Sequence, residues 1–187
     1  VIYVVRHAQS EALPGVDPAD FPLTDAGRES ARKLVPVLDA LEIERIYSSP
    51  YRRAVDTVAP FARHAGLECE LDSDLRERTL ASGPMPSPEA HIAAVRSCWA
   101  DFDRRLPGGE SNRECQTRAV GAVSRLCARH PDERIVLASH GQWTSLLLNA
   151  LDPSFAADDW LTIPNPAVFR VDLEACAWQA VALDGEG

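Results

Sequence analysis

Residues 1–10 read VIYVVRHAQS and residues 135–142 read IVLASHGQ. Val1 to Val5 is continuously apolar and mostly β-branched, the pattern of a strand buried on both faces, as in a parallel sheet. Ile135 to Ser139 is a second run of that kind, and each run is followed at once by a histidine, His7 and His140. In parallel α/β sheets the carboxyl ends of the strands open onto a common crevice where ligands bind, so both imidazoles are placed to face one pocket.

Outward from these runs, strands and helices alternate. Ala12 to Pro22, with three prolines and Gly15, reads as a loop. Thr24 caps a predicted helix reaching about Leu41, with Ala31, Leu34, Leu38 and Leu41 on one face and Pro36 expected to kink or divide it. Ile43 to Ser48 reads as a strand, Tyr51 to Ala65 as a helix stopped by Gly66, and Leu67 to Leu71 as a weaker strand. A loop over Thr79 to Ser87 precedes helices at about Pro88 to Arg104 and Asn112 to Arg129, hinged by LPGGES. Gln142 to Leu151 is the helix after His140. Val168 to Val171 and Trp178 to Ala182 close the series as two short strands. The alternation predicts an α/β fold, with a mainly parallel sheet, in one domain over residues 1–187.

Composition narrows the function. The chain has 187 residues, 45% hydrophobic and 25% charged, with a net charge of −9. That acidity argues against general nucleic-acid binding, which calls for a basic surplus. It is compatible with a phosphorylated substrate if arginines are concentrated at one place. The five cysteines are scattered and never paired as CxxC, which points neither to a disulfide framework nor to a zinc site. No stretch approaches the ~20 apolar residues of a membrane span, and VIYVVRH lacks the basic leader of a signal peptide. A cytoplasmic location is the expectation.

Three residue types supply candidate chemistry. Arg6 precedes His7, and Arg52 and Arg53 begin the helix behind the second strand, where guanidinium forks and a helix N-terminus both favour phosphate oxygens. Glu77, in DLRERTL, is a candidate proton donor, because a carboxyl beside a dianionic phosphate is driven towards its protonated form and can then protonate a leaving alkoxide. His64, His91 and His130 read as structural or solvated.

VVRHAQS, LTDAGRESA, SSPYRRAVDT, LRER, LPGGES and ASHG, in that order, resemble the histidine phosphatase superfamily, the group that includes phosphoglycerate mutases. The resemblance spans Ile2 to about Leu151 and implies a three-layer α/β/α sandwich around a mostly parallel sheet. It implies that His7 is the phosphorylated nucleophile, that Arg6 and Arg53 grip the phosphoryl group, that His140 hydrogen-bonds it, and that Glu77 is the acid–base. Ser10 matches a hydroxyl position near the pocket, Arg52 falls one place off the motif, and Thr24 with Gly27 match a structural helix start. Three positions depart from the pattern. Ala8 stands where glycine is usual, and Leu13 where many members carry a phosphate-binding asparagine. Gln142 stands where a second glycine is frequent, its backbone N–H or side chain being available to the phosphate.

The resemblance implies a phosphohistidine intermediate, with no metal or other cofactor and a small phosphorylated metabolite as substrate. Phosphomonoester hydrolysis is expected over mutase activity. Related mutases carry a longer segment between the glutamate and GES motifs, whereas here Arg78 to Gly109 offers only Arg78, Arg96, Arg104 and Arg105. A non-catalytic phosphate-binding domain is the third alternative, motivated by Leu13.

Overall fold

The computed structural model describes residues 1–83 and 85–183. The elements in order are β1 (Ile2–Arg6), α1 (Asp25–Ala40), β2 (Arg45–Ser48), α2 (Arg52–Ala65), β3 (Cys69–Leu71), α3 (Pro88–Ala100) and α4 (Asn112–Arg129). They continue with β4 (Ile135–Ser139), α5 (Gly141–Leu151), α6 (Ala157–Thr162), β5 (Ala167–Asp172) and β6 (Ala177–Val181). The strands form one sheet in the order β3-β2-β4-β1-β5-β6. β1, β2, β3 and β4 pair in parallel, and the two C-terminal strands are added antiparallel at one side.

The continuous apolar runs are explained by where they lie. Ile2 and Val4 of β1, with Ile135 and Leu137 of β4, enter a core shared with Leu126 of α4 and Trp143 and Leu147 of α5. Tyr3, Val5, Val136 and Ala138 point to the other side, against Leu34 and Leu38 of α1 and Val58 and Phe61 of α2. Alternate residues of a strand point to opposite faces, so a strand covered on both sides has no polar face to show. The result is the three-layer α/β/α arrangement.

Local chemistry sets the element ends. Thr24 Oγ1 accepts from the N–H of Gly27 at 3.0 Å to cap α1. A Cβ on Gly27 would run into the carbonyl oxygen of Gln9, so only glycine lets the helix start here. Gly66 ends α2 with φ 67°. Ser111 and Glu114 form a reciprocal capping box at the start of α4.

Some boundaries differ from those expected. α1 runs through Pro36 as one helix, because Leu34 and Leu38 on either side of it are fully buried and their packing outweighs the local defect. α3 ends at Ala100, where Asp101 turns extended, rather than near Arg104. α6, only six residues long, has too few turns to show a helical period and was not expected. All five cysteines are free, and among the described residues no helix is long and apolar enough to cross a membrane.

Candidate active site

The strand order brings together the ends of β2, β4 and β1, which are neighbours in the sheet. Arg6 is in register with Ser139, and the N–H of His7 donates to the Ser139 carbonyl at 3.0 Å, so His7 and His140 leave adjacent strands at one level. Their rings lie 5.2 Å apart, edge to face.

His7 is held at both nitrogens. Nδ1 is 2.7 Å from the carbonyl oxygen of Ala8. An oxygen can only accept, so Nδ1 carries the proton in the neutral ring and Nε2 presents its lone pair. That lone pair faces Arg53, whose Nε donates to it at 3.1 Å. Burial, the Arg53 guanidinium and the Arg6 charge outweigh the Ala8 carbonyl and push the His7 pKa down to about 3. The imidazole is therefore neutral at physiological pH.

The backbone around His7 is also tied. The Ala8 N–H donates to Thr57 Oγ1 at 2.9 Å, and the Asn165 side-chain amide donates to the His7 carbonyl at 2.8 Å. Ala8, at the departure from glycine, is fully buried with Leu23 and Ala31. Its methyl packs inward.

Two arginines flank the ring. Arg53, at the start of α2, donates through Nη1 to the carbonyl of Pro18 at 2.6 Å and lies over the Tyr51 ring at 5.0 Å. Arg6 donates through Nη1 to the carbonyl of Ile163, and its buried Nε has no acceptor. Burial lowers both guanidinium pKa values while the charge of Glu77 opposes it, so the three groups share one electrostatic environment. Arg52 sits outside that environment and pairs with Asp56 at 3.3 Å.

His140 is fully buried, with Nε2 2.8 Å from Ser49 Oγ and Nδ1 lacking any partner. Burial and the nearby arginines hold its pKa well below the usual imidazole value. Glu77 spans to the next element. Its Oε1 accepts from the N–H groups of Arg78 at 2.9 Å and Trp143 at 3.1 Å, and its Oε2 from that of Gln142 at 3.3 Å. It thus caps the first turn of α5 from outside the helix.

Gln142 and Ser10 have backbone partners of their own. The Gln142 backbone N–H is occupied by Glu77, which leaves its buried side-chain amide, with neither nitrogen nor oxygen partnered, as the group able to act. Ser10 pairs through its backbone with Leu23, and no hydrogen bond among the described residues joins its hydroxyl to His7, Arg6 or Arg53. Leu13 is 36% exposed on the surface loop.

The other histidines divide. His64 pairs with Asp39 at 3.4 Å on the surface, and His130 is buried against the Tyr47 hydroxyl at 3.0 Å. His91, on α3, is half-buried. Burial lowers its pKa, and the charges of Glu77 and Arg78 act on it in opposite senses. Trp99 and Phe102 of the same region pack on the core, edge to face at 5.5 Å. Arg78 is itself buried, with Nε on the Glu110 carbonyl at 3.0 Å and both Nη groups without acceptors. Ser49, Thr57 and Asn165 were missed. For Ser49 the SSP turn behind β2 was visible, but its place beside His140 depends on β2 pairing with β4. Among the described residues, no three histidine, cysteine or carboxylate side chains group as metal ligands would.

Buried donors in excess of acceptors, around a neutral imidazole whose Nε2 lone pair faces a guanidinium, suit a dianionic phosphoryl group. Comparisons with known proteins agree. The chain is 33% identical to phosphoglycerate mutase-like protein 4 of Arabidopsis thaliana over 188 residues, covering 91% of this chain and 79% of that protein. It is 31% identical to a glucosyl-3-phosphoglycerate phosphatase of Mycolicibacterium vanbaalenii, over 85% of this chain and 76% of that one. The fold superposes on a mycobacterial glucosyl-3-phosphoglycerate phosphatase solved with inorganic phosphate, with a TM-score of 0.76 and 25% identity, covering 97% of this chain and 95% of that one. The model of the histidine phosphatase superfamily (branch 1) matches residues 2–185. With RH and SHG at the ends of adjacent parallel strands, the chain belongs to the histidine phosphatase superfamily.

Proposed function

We propose that the protein is a phosphomonoester hydrolase working through a phosphohistidine at His7 on a small phosphorylated metabolite. The observation that carries this is the orientation of His7. Nδ1–H is fixed on the Ala8 carbonyl, and the Nε2 lone pair points into the Arg53 guanidinium, where a phosphoryl group would be gripped.

In the first step Nε2 attacks phosphorus and the bond to the ester oxygen breaks. Arg6, Arg53 and His140 stabilise the charge on the equatorial oxygens. The leaving alkoxide takes a proton from Glu77. A carboxylate offers about four lone pairs, and backbone N–H groups use two on Oε1 and one on Oε2, so Oε2 is the atom free to exchange the proton. In the second step Glu77 accepts a proton from water, which attacks phosphorus and returns His7 to its free form.

Mutase-type transfer is the second reading, favoured by the similarity to the Arabidopsis mutase-like protein. One experiment separates the two. A panel of phosphomonoesters is assayed for phosphate release, 3-phosphoglycerate is assayed for isomerisation with bisphosphoglycerate present, and His7→Ala runs beside both. Hydrolysis of a panel member, lost by a factor of about 10⁴ or more in the variant, is expected. Activity surviving His7→Ala would refute the nucleophile assignment. Isomerisation outpacing all hydrolysis would replace the hydrolase with a mutase.

A further inference from the structure

Gly141 opens α5, and neighbouring groups use the space its missing side chain leaves. A Cβ built there would lie 3.1 Å from the indole Nε1 of Trp160 and 3.3 Å from both Cζ and Nε of Arg6. The Trp160 indole Nε1 and the Arg6 Nε therefore both lie beside the first turn of α5, next to His140. Both groups are donors only, and neither can accept from the other. Arg6 Nε is buried and has no acceptor. An acceptor of negative charge is what would satisfy both.

The indole has neighbours on an adjoining helix. Trp160 is carried by α6, whose first turn is tied by Asp159 accepting from the Ala156 N–H at 2.7 Å. Its ring meets the His91 ring on α3 at 6.0 Å, and Arg96 of α3 bonds Asp158 of α6 at 2.8 Å. α3 and α6 thus form a joined wall that carries Trp160 beside the guanidinium.

We infer that Trp160 is a substrate-binding residue whose indole N–H donates to the phosphoryl oxygen that Arg6 Nε–H also holds. This rests on the phosphoryl-transfer reading of His7 and names a ligand that neither the motifs nor the chain order disclosed. Because α6 carries the donor, the segment between α5 and β5 takes part in binding.

The test uses inorganic phosphate and orthovanadate with nitrogen-15-labelled protein. The chain has four tryptophans, so four indole N–H signals are assigned and followed during the titration. The Trp160 signal is expected to move downfield on saturation, and that of Trp178 on β6 to stay in place. Trp160→Phe keeps the ring and removes the donor. It should raise the dissociation constant for phosphate about tenfold or more, the factor expected for a hydrogen bond to a charged group, and lower kcat/KM for p-nitrophenyl phosphate by a similar factor. A Trp160 signal unmoved at saturation overturns the inference, as does a variant that binds phosphate as the wild type does. The wild-type titration stands even if the variant does not fold. If the wild type binds no phosphate, the phosphoryl reading of the site falls as well. If it binds phosphate and hydrolyses esters while Trp160 stays silent, only this inference falls.

Discussion

Arg52 and Arg53 are neighbours in the chain with opposite surroundings. Arg53 is buried against His7, whereas Arg52 is on the surface beside Asp56. One step along a helix turns a side chain by about 100°, so the register of α2 alone decides which guanidinium enters the site. The same scale governs the nucleophile. His7 titrates at about 3, so between pH 4 and 7 the free enzyme keeps it neutral. Any acid limb in kcat/KM near pH 6 should then belong to the substrate, whose phosphate has its second ionisation near there. Profiles measured with two esters of different second pKa should shift by the difference between them. A limb fixed near 6.5 for both esters would show His7 behaving as an ordinary imidazole.

At the scale of elements, α5 depends on a residue outside itself. Its N-cap, His140, makes no side-chain capping bond, and Glu77 supplies acceptors for the N–H groups of Gln142 and Trp143 instead. The acid–base candidate therefore also supports the helix. Glu77→Ala should lower the unfolding free energy by about 2 kcal/mol, since donors at a half-buried helix end lose their partner, in addition to its effect on turnover. Urea melts run beside the assay check this; a variant as stable as the wild type would show that the cap is dispensable. Most elements were legible because local rules agree with the fold. The run Asn112 to Arg129 matches α4 to the residue, with its capping box at Ser111 and Glu114. α6 was not legible, and it carries Trp160, so a part of the site was hidden by the shortness of its element.

For the whole molecule, two neutral imidazoles buried beside arginines make stability depend on pH. Both folded pKa values are depressed, His7 from 6.5 to about 3 and His140 also well below its usual value. The unfolded chain thus binds more protons below 6.5. The stabilisation is fully present above that pH and is lost as pH falls towards 3. His7 alone accounts for a loss on the order of 5 kcal/mol across the window. Urea midpoints measured from pH 7.5 down to 4 should fall, and more gently in His7→Ala. Parallel curves for the two proteins would mean that His7 is not buried as described.

The residue order by itself determined the two buried runs, the helices with clear caps, the alternation that makes a parallel sheet, and the histidines and arginines at strand and helix ends. Those features are local, set by side-chain periodicity and by backbone groups within a few residues. Only the tertiary structure decided that β4 inserts between β1 and β2, which places Ser49 on His140 and Arg53 on His7. It alone decided that Glu77 occupies the Gln142 backbone N–H, that Asn165 holds His7 from 158 positions away, and that the His91 and Trp160 rings meet. Strand order and cross-chain contact depend on how all the buried faces pack at once, and no stretch of sequence contains that information alone.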